Sequence, residues 1–197
     1  RLHDLSSTNN WCSHVLSLGN QYGLNLNTFD FNEATKFHVK SIVKEKFISK
    51  WFCNITDFSI YPGLRLYKLF KTKFGYEPYL ENIRNLKLRK TLTRFRCSSH
   101  SLEIERGRYV GKHEHERLCS ECGILENEFH FVMICPLYVE LRNSFISKIM
   151  NIFPFLSDYS LYEQFIFFMG FNDKSLHCLF ARFVHDAMSV RSGVGVA

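Results

Sequence analysis

The chain has little proline, four residues in 197, and no Gly/Ser or Ser/Pro tract. That composition argues against a long flexible linker. No apolar run is long enough to span a bilayer: the most apolar stretch, Phe165 to Met169, lies between Glu163 and Asp173, whereas a spanning helix needs ~20 apolar residues. No charged segment followed by an apolar one opens the chain, so no secretory signal is visible. A reducing, intracellular setting, nucleus or cytoplasm, is expected. Catalytic signatures are missing too. There is no Tyr-x-Asp-Asp, and every Asp stands alone, whereas two-metal chemistry needs paired carboxylates holding ions about 4 Å apart. The run His113-Glu114-His115-Glu116-Arg117 is not H-E-x-x-H, because Arg117 takes the place of the second His. Glu103 and Glu105 lack a lysine in nuclease-like register and read as partners for Arg106 and Arg108. His185 and Asp186, neighbours on one helix, point apart. The expectation is a chain without catalytic activity, bound to no membrane and taking no small-molecule substrate.

What is present is a globular composition: 46% hydrophobic, 22% charged, formal charge +6, and 20 Phe. Such a chain can bury an aromatic core. Helical periodicity dominates. Trp11, Val15, Leu18 and Tyr22 share a face. Asn25 to Thr28 reads as a turn, and Asn32 as the cap of a second helix with Phe37, Ile42, Val43, Phe47 and Ile48 inward and Lys36, Lys40, Lys44 and Lys50 outward. That helix is expected to fray near Cys53 and Asn54, ahead of a turn at Tyr61-Pro62-Gly63. The stretch Leu64 to Phe70 fits neither period cleanly. Asn82 to Phe95 reads as one helix. Pro136 starts another, carrying Leu137, Leu141, Phe145, Ile149 and Ile152, which Pro154 ends. Leu161–Met169 and Ser175–Val190 read as closing helices, the latter with a stripe of Leu176, Leu179, Phe180, Phe183, Val184 and Ala187.

Seven Cys are unevenly placed. Cys12, Cys53, Cys97 and Cys178 are scattered and read as core. Cys119, Cys122 and Cys135 cluster around His130 in the pattern C-x2-C-x7-H-x4-C. Three thiolates and one imidazole are the closed, tetrahedral ligand set of a structural Zn2+. Two Cys separated by two residues can face one ion across a tight turn, and Gly123 follows the second, where positive φ turns backbone N–H groups toward the sulfurs. His130 and Cys135 are five apart, so bringing both to one ion needs a small break in the helical path near Ile134. Cys135 precedes Pro136 and so sits at a helix start that favours the thiolate. Arg117 and Arg142 are close enough in sequence to offset a net −1 site. The fold class is mainly α, a small helical domain with an embedded zinc knuckle. It divides into a helical region at 1–80, a basic helix plus knuckle at 81–151, and closing helices at 152–197.

A dense basic stretch precedes the knuckle: Arg84, Lys87, Lys90, Arg94 and Arg96, then Arg106, Arg108 and Lys112, with His100 and Tyr109 available to stack or to contact a backbone. Charge alone points to a solvated helix face. The run Leu92 to Tyr109, the Cys-Cys-His-Cys knuckle with an acidic residue before its His, and the continuation Cys135-Pro136-Leu137-Tyr138 through Arg142 together resemble the zinc-binding region of LINE-type (non-LTR) retrotransposon reverse transcriptase polyproteins. The resemblance is strongest from Leu88 to Arg142. It extends more loosely to Arg65–Phe70, to Glu77-Pro78-Tyr79-Leu80 and to the helical tail. It implies a C-terminal region that follows a polymerase and helps hold template RNA or target DNA, with zinc on Cys119, Cys122, His130 and Cys135. It makes 1–80 a connector from a polymerase that the chain itself lacks. Beginning at Arg1 rather than Met, the chain reads as a fragment. The expected function is a zinc-stabilised nucleic-acid-binding module, the alternative a zinc-stapled scaffold or protein-interaction domain that binds no nucleic acid.

Overall fold

A computed structural model describes residues 11–24, 33–57 and 62–193. The expected turn at Asn25–Thr28, the Asn32 cap and Tyr61 lie outside the described residues. The chain forms two compact units, Arg1–Asn54 and Ile55–Ala197. No helix among the described residues is long and apolar enough to cross a membrane.

The first unit holds helix α1 (Trp11–Gln21) and nearly all of α2 (Glu33–Thr56), which runs past the expected fraying point. The lysines at 36, 40, 44 and 50 are exposed as the periodicity requires. Phe37 and Phe47 are not inward: they are 77% and 53% exposed. Ile42, Val43 and Ile48 are half-buried.

The second unit is mainly α, with no β-strand among the described residues. The ambiguous Leu64–Phe70 stretch resolves into a single 3₁₀ turn at Pro62–Leu64 and the one-turn helix α3 (Tyr67–Phe70). The helix expected from Asn82 to Phe95 is two: α4 (Tyr79–Asn82) and α5 (Leu86–Arg96). Asn85 separates them. Its carboxamide oxygen accepts from the Lys87 and Leu88 amides at 2.9 and 3.2 Å, which caps α5. Glu103–Tyr109 is helix α6. There Glu103 pairs with Arg106 and Glu105 with Arg108, one turn apart. Beyond the knuckle come α7 (Val139–Ile152), α8 (Leu161–Gly170) and α9 (Lys174–Arg191), with Pro154 opening a 3₁₀ segment where α7 stops.

The core forms because α9 packs along both α5 and α7. Leu176, Phe180, Phe183, Val184 and Ala187 of the α9 stripe are buried, and Leu179 packs at its edge. They meet Leu92 and Phe95 of α5 and Phe145 and Ile149 of α7. Phe145 lies at the middle, with ring centroids of Phe168 at 5.0 Å, Phe183 at 5.1 Å and Phe180 at 5.7 Å. Phe131, from between two of the cluster ligands, reaches the same core and lies 5.6 Å from Phe95 and 4.6 Å from Tyr138. The boundary between knuckle and closing helices drawn from sequence therefore falls inside one core, and the second unit begins at Ile55. Of the scattered cysteines expected in the core, Cys53 is exposed and Cys97 and Cys178 are half-buried.

Candidate metal centre and basic face

The ligand set is assembled by two short backbone devices. Cys119 and Cys122 sit in a hairpin-like turn closed by an antiparallel bridge between Leu118 and Leu125. The Cys119 amide donates to the Ile124 carbonyl at 2.7 Å, and the Gly123 amide to the Cys119 carbonyl at 2.9 Å. Gly123 has φ +67°, a left-handed conformation that costs a side-chain-bearing residue about 1 kcal/mol. Across from it, residues His130–Ile134 form a π-helical turn. The Cys135 amide donates to the His130 carbonyl at 2.8 Å, a five-residue step. This is the break the spacing required: a bond from residue 135 back to 130 sets those two side chains on the same side of the turn. The Asn127 carboxamide oxygen caps the turn by accepting from the His130 amide at 2.8 Å.

The ligand atoms of Cys119, Cys122, His130 and Cys135 all lie within 4.8 Å of one another. The sulfurs of Cys119 and Cys135 are 3.8 Å apart, and the Cys122 sulfur is 3.3 Å from His130 Nε2. His130 Nδ1 is buried and makes no hydrogen bond, so Nε2 is the nitrogen that faces the sulfurs. Burial lowers the basicity of His130, opposed by the Glu126 carboxylate and assisted by Arg142. The Cys135 thiol is pushed up to about 12 by burial and the neighbouring sulfurs, against the Leu137 amide, which favours the thiolate. A neutral imidazole and closely spaced sulfurs in a desolvated pocket can hold a metal ion, whose charge would stabilise thiolates that burial alone disfavours. Arg142 contributes through the backbone: its guanidinium donates to the carbonyls of Val132, at 2.7 Å, and Cys135. The Arg117 guanidinium donates to the carbonyls of Ile104 and Lys112.

Behind the knuckle lies a buried ionic network that the sequence did not announce. Glu128 accepts from Arg65 at 2.6 Å, from His100 Nε2 at 2.8 Å and from the Ser98 hydroxyl at 3.2 Å. Arg65 also binds Glu105, which holds Arg108. Burial on its own would raise the Glu128 carboxyl, but the His100 hydrogen bond and the Arg65 guanidinium override it and hold the group at about 2. Glu126 caps the start of α6 through the Glu103 amide at 2.6 Å and takes both arms of Arg191 at 2.7 Å. The last turn of α9 is thereby tied to the strand of chain between Cys122 and His130. The only sequence signal for this was the acidic pair flanking Asn127.

The predicted nucleic-acid contacts divide by burial. Arg96 is 4% exposed. Its guanidinium lies over the rings of Phe70 and Tyr79, binds Glu77 at 2.7 Å and donates to the Met169 carbonyl. His100 is buried against Glu128, and Arg108 is half-buried on Glu105. The polar groups of these three are engaged by carboxylates and carbonyls inside the fold. Arg106 and Lys112 are exposed and share Glu103, at 3.5 and 3.3 Å. Arg84, Lys87, Lys90 and Arg94 are exposed and enter no ion pair among the described residues. Arg84 precedes the Asn85 cap, whereas Lys87, Lys90 and Arg94 follow one another at helical spacing on one face of α5. No protein-family model, curated protein or solved structure matches the chain.

Proposed function

We propose that Cys119, Cys122, His130 and Cys135 hold one zinc ion in a structural role and that the second unit is a nucleic-acid-binding module, part of a non-LTR-type reverse transcriptase polyprotein. The observation that carries the zinc is the closed Cys3His set within one 4.8 Å cluster. Two sulfurs bound tetrahedrally to one zinc lie roughly 3.8 Å apart, and Cys119 and Cys135 have that separation. Four protein ligands leave no position for a substrate, so the ion's contribution is charge neutralisation and cross-linking of two backbone turns. The chain's own residues then hold the shape: Asn127 caps the π turn, Glu126 ties it to α6 and α9, and Arg142 closes its carbonyls. The stripe of Lys87, Lys90 and Arg94, with Arg84 beside it, supports a phosphate-directed contact to RNA template or target DNA.

The test is affinity for single-stranded RNA and duplex DNA across about 50 to 300 mM salt, where counterion release makes the dependence steep. Replacing Lys87, Lys90 and Arg94 together by Gln should flatten the slope by about 0.7–0.9 per charge removed. A second reading, a zinc-stapled scaffold, draws on the internal use of Arg96, His100 and Arg108, which shrinks the available basic surface. Absence of binding at low salt would decide for it.

A further inference from the structure

Helix α5 ends in a turn that builds a cleft. Ser98 takes φ +49°, a left-handed conformation usually left to glycine, and its hydroxyl bonds the buried Glu128 carboxylate at 3.2 Å. The chain then doubles back, and Ser99, His100 and Ser101 come to line a cavity of about 380 Å³ together with Thr91 and Arg94 of α5 and Met188 of α9. The chemistry of this cavity is one-sided. The Arg94 guanidinium and the hydroxyls of Ser99 and Ser101 have no hydrogen-bond partner among the described residues. The Glu128 carboxylate, which meets the lining residue His100 at 2.8 Å, is already paired with Arg65 at 2.6 Å. The C-terminal carbonyls of α5, whose dipole repels anions, are covered by the amides of Cys97, Ser98 and Ser99. Lys87 and Lys90 lie on α5 one helical turn before the lining residues Thr91 and Arg94. Unsatisfied donors beside an unpaired guanidinium suit an oxyanion, and the flat fork of arginine suits phosphate in particular. The volume lies near the lower end for small-ligand sites, roughly 300–1,000 Å³, and a bare phosphate would leave most of it empty. Met188 offers an apolar, adaptable wall on the remaining side.

We infer that this cleft seats one nucleotide unit, its phosphate on Arg94, Ser99 and Ser101 and its sugar or base against Met188. The phosphate chemistry is shared by a free nucleotide and a unit of a polynucleotide; the second source rests on the nucleic-acid reading above. Two arms separate them. In the first, the full zinc-loaded chain is titrated calorimetrically with adenosine 5′-monophosphate, adenosine and inorganic phosphate. The monophosphate should bind and adenosine should not, with inorganic phosphate weaker than the nucleotide. Arg94→Gln should weaken the nucleotide at least tenfold and Ser101→Ala several-fold, while Lys148→Gln, an equal loss of charge on α7, should leave it unchanged. All three substitutions are at exposed positions, and unchanged circular dichroism and zinc content will show that the variants fold. In the second arm, a short single-stranded RNA is titrated with and without the monophosphate. Competition identifies a polynucleotide unit as the occupant. Monophosphate binding without any RNA binding upholds the cleft with a free nucleotide and sinks the nucleic-acid reading. RNA binding that neither Arg94→Gln nor the monophosphate disturbs, or monophosphate binding that survives Arg94→Gln, overturns the cleft. So does absence of monophosphate binding up to millimolar concentration.

Discussion

Replacing Cys135 by serine removes one sulfur from the cluster and, with it, the closed ligand set for the proposed zinc. On spacing alone the consequence would be local, because a knuckle of so few residues has too little core to fold without its metal. The structure argues for a larger effect. Between the ligands His130 and Cys135 the chain carries Phe131, Val132 and Met133, which are 0%, 0% and 6% exposed, and these side chains are part of the core built by α5, α7 and α9. Each such burial contributes about 1.5–3 kcal/mol, so release of the turn forfeits about 4.5–9 kcal/mol before the unfolded-state correction. A domain of this size has only about 5–15 kcal/mol in total. Loss of the metal therefore cannot stay local: Cys135→Ser, or chelation of the unmodified protein, should lower the melting temperature of the second unit by about 10–20 °C in one cooperative transition. The assay is thermal circular dichroism beside elemental analysis, which should give one zinc per chain before chelation and none after. Amide exchange would locate the effect. If the chelated protein keeps protection in α5, α7 and α9 and loses it only around residues 117–138, or if Cys135→Ser melts within a few degrees of the parent, the coupling of knuckle to core is wrong.

Two further expectations concern the groups that hold the knuckle in place. The Glu128 carboxyl sits at about 2 against an ordinary 4.5, so its contribution is fully present above about pH 4.5 and is lost as pH falls toward 2. That displacement corresponds to about 3 kcal/mol; the stability advantage of the parent over Glu128→Gln in urea titrations should shrink by that order between pH 5 and pH 2.5, and a pH-independent difference would contradict the network. Gly107→Ala would place a Cβ 2.6 Å from Arg117 Cγ and force that side chain off the carbonyls of Ile104 and Lys112. A loss of about 1–3 kcal/mol follows. Because the Arg117 carbonyl accepts from the Glu126 amide at the base of the knuckle, zinc affinity measured by chelator competition should fall with it.

The helical architecture and the metal cluster were both legible without coordinates, because each rests on short-range regularities. Periodicity places α8 and α9 within a residue of where they are, and α7 starts three residues after Pro136, which instead opens a 3₁₀ turn. Cys119, Gly123, His130, Cys135 and Pro136 carry the ligand chemistry and the turn geometry in their own spacing, and the five-residue step between His130 and Cys135 already demanded the irregular turn that proves to be π-helical. Asn85 is equally local: it caps α5 from two and three residues before the amides it accepts from.

What the sequence could not determine was which charges face water. Arg94 and Arg96 are two residues apart on one helix, yet one is unpaired at the surface and the other is enclosed by Phe70, Tyr79 and Glu77, all distant in sequence. The same holds for His100, whose partner Glu128 lies across the knuckle, and for Phe37 and Phe47, whose spacing reads as inward although both are more than half exposed. Local order follows from side-chain period and ligand spacing, which the chain carries within a few residues. Burial and ion pairing depend on what other elements come to rest against a residue, and only the packing of α3, α4 and the knuckle around the end of α5 decided that.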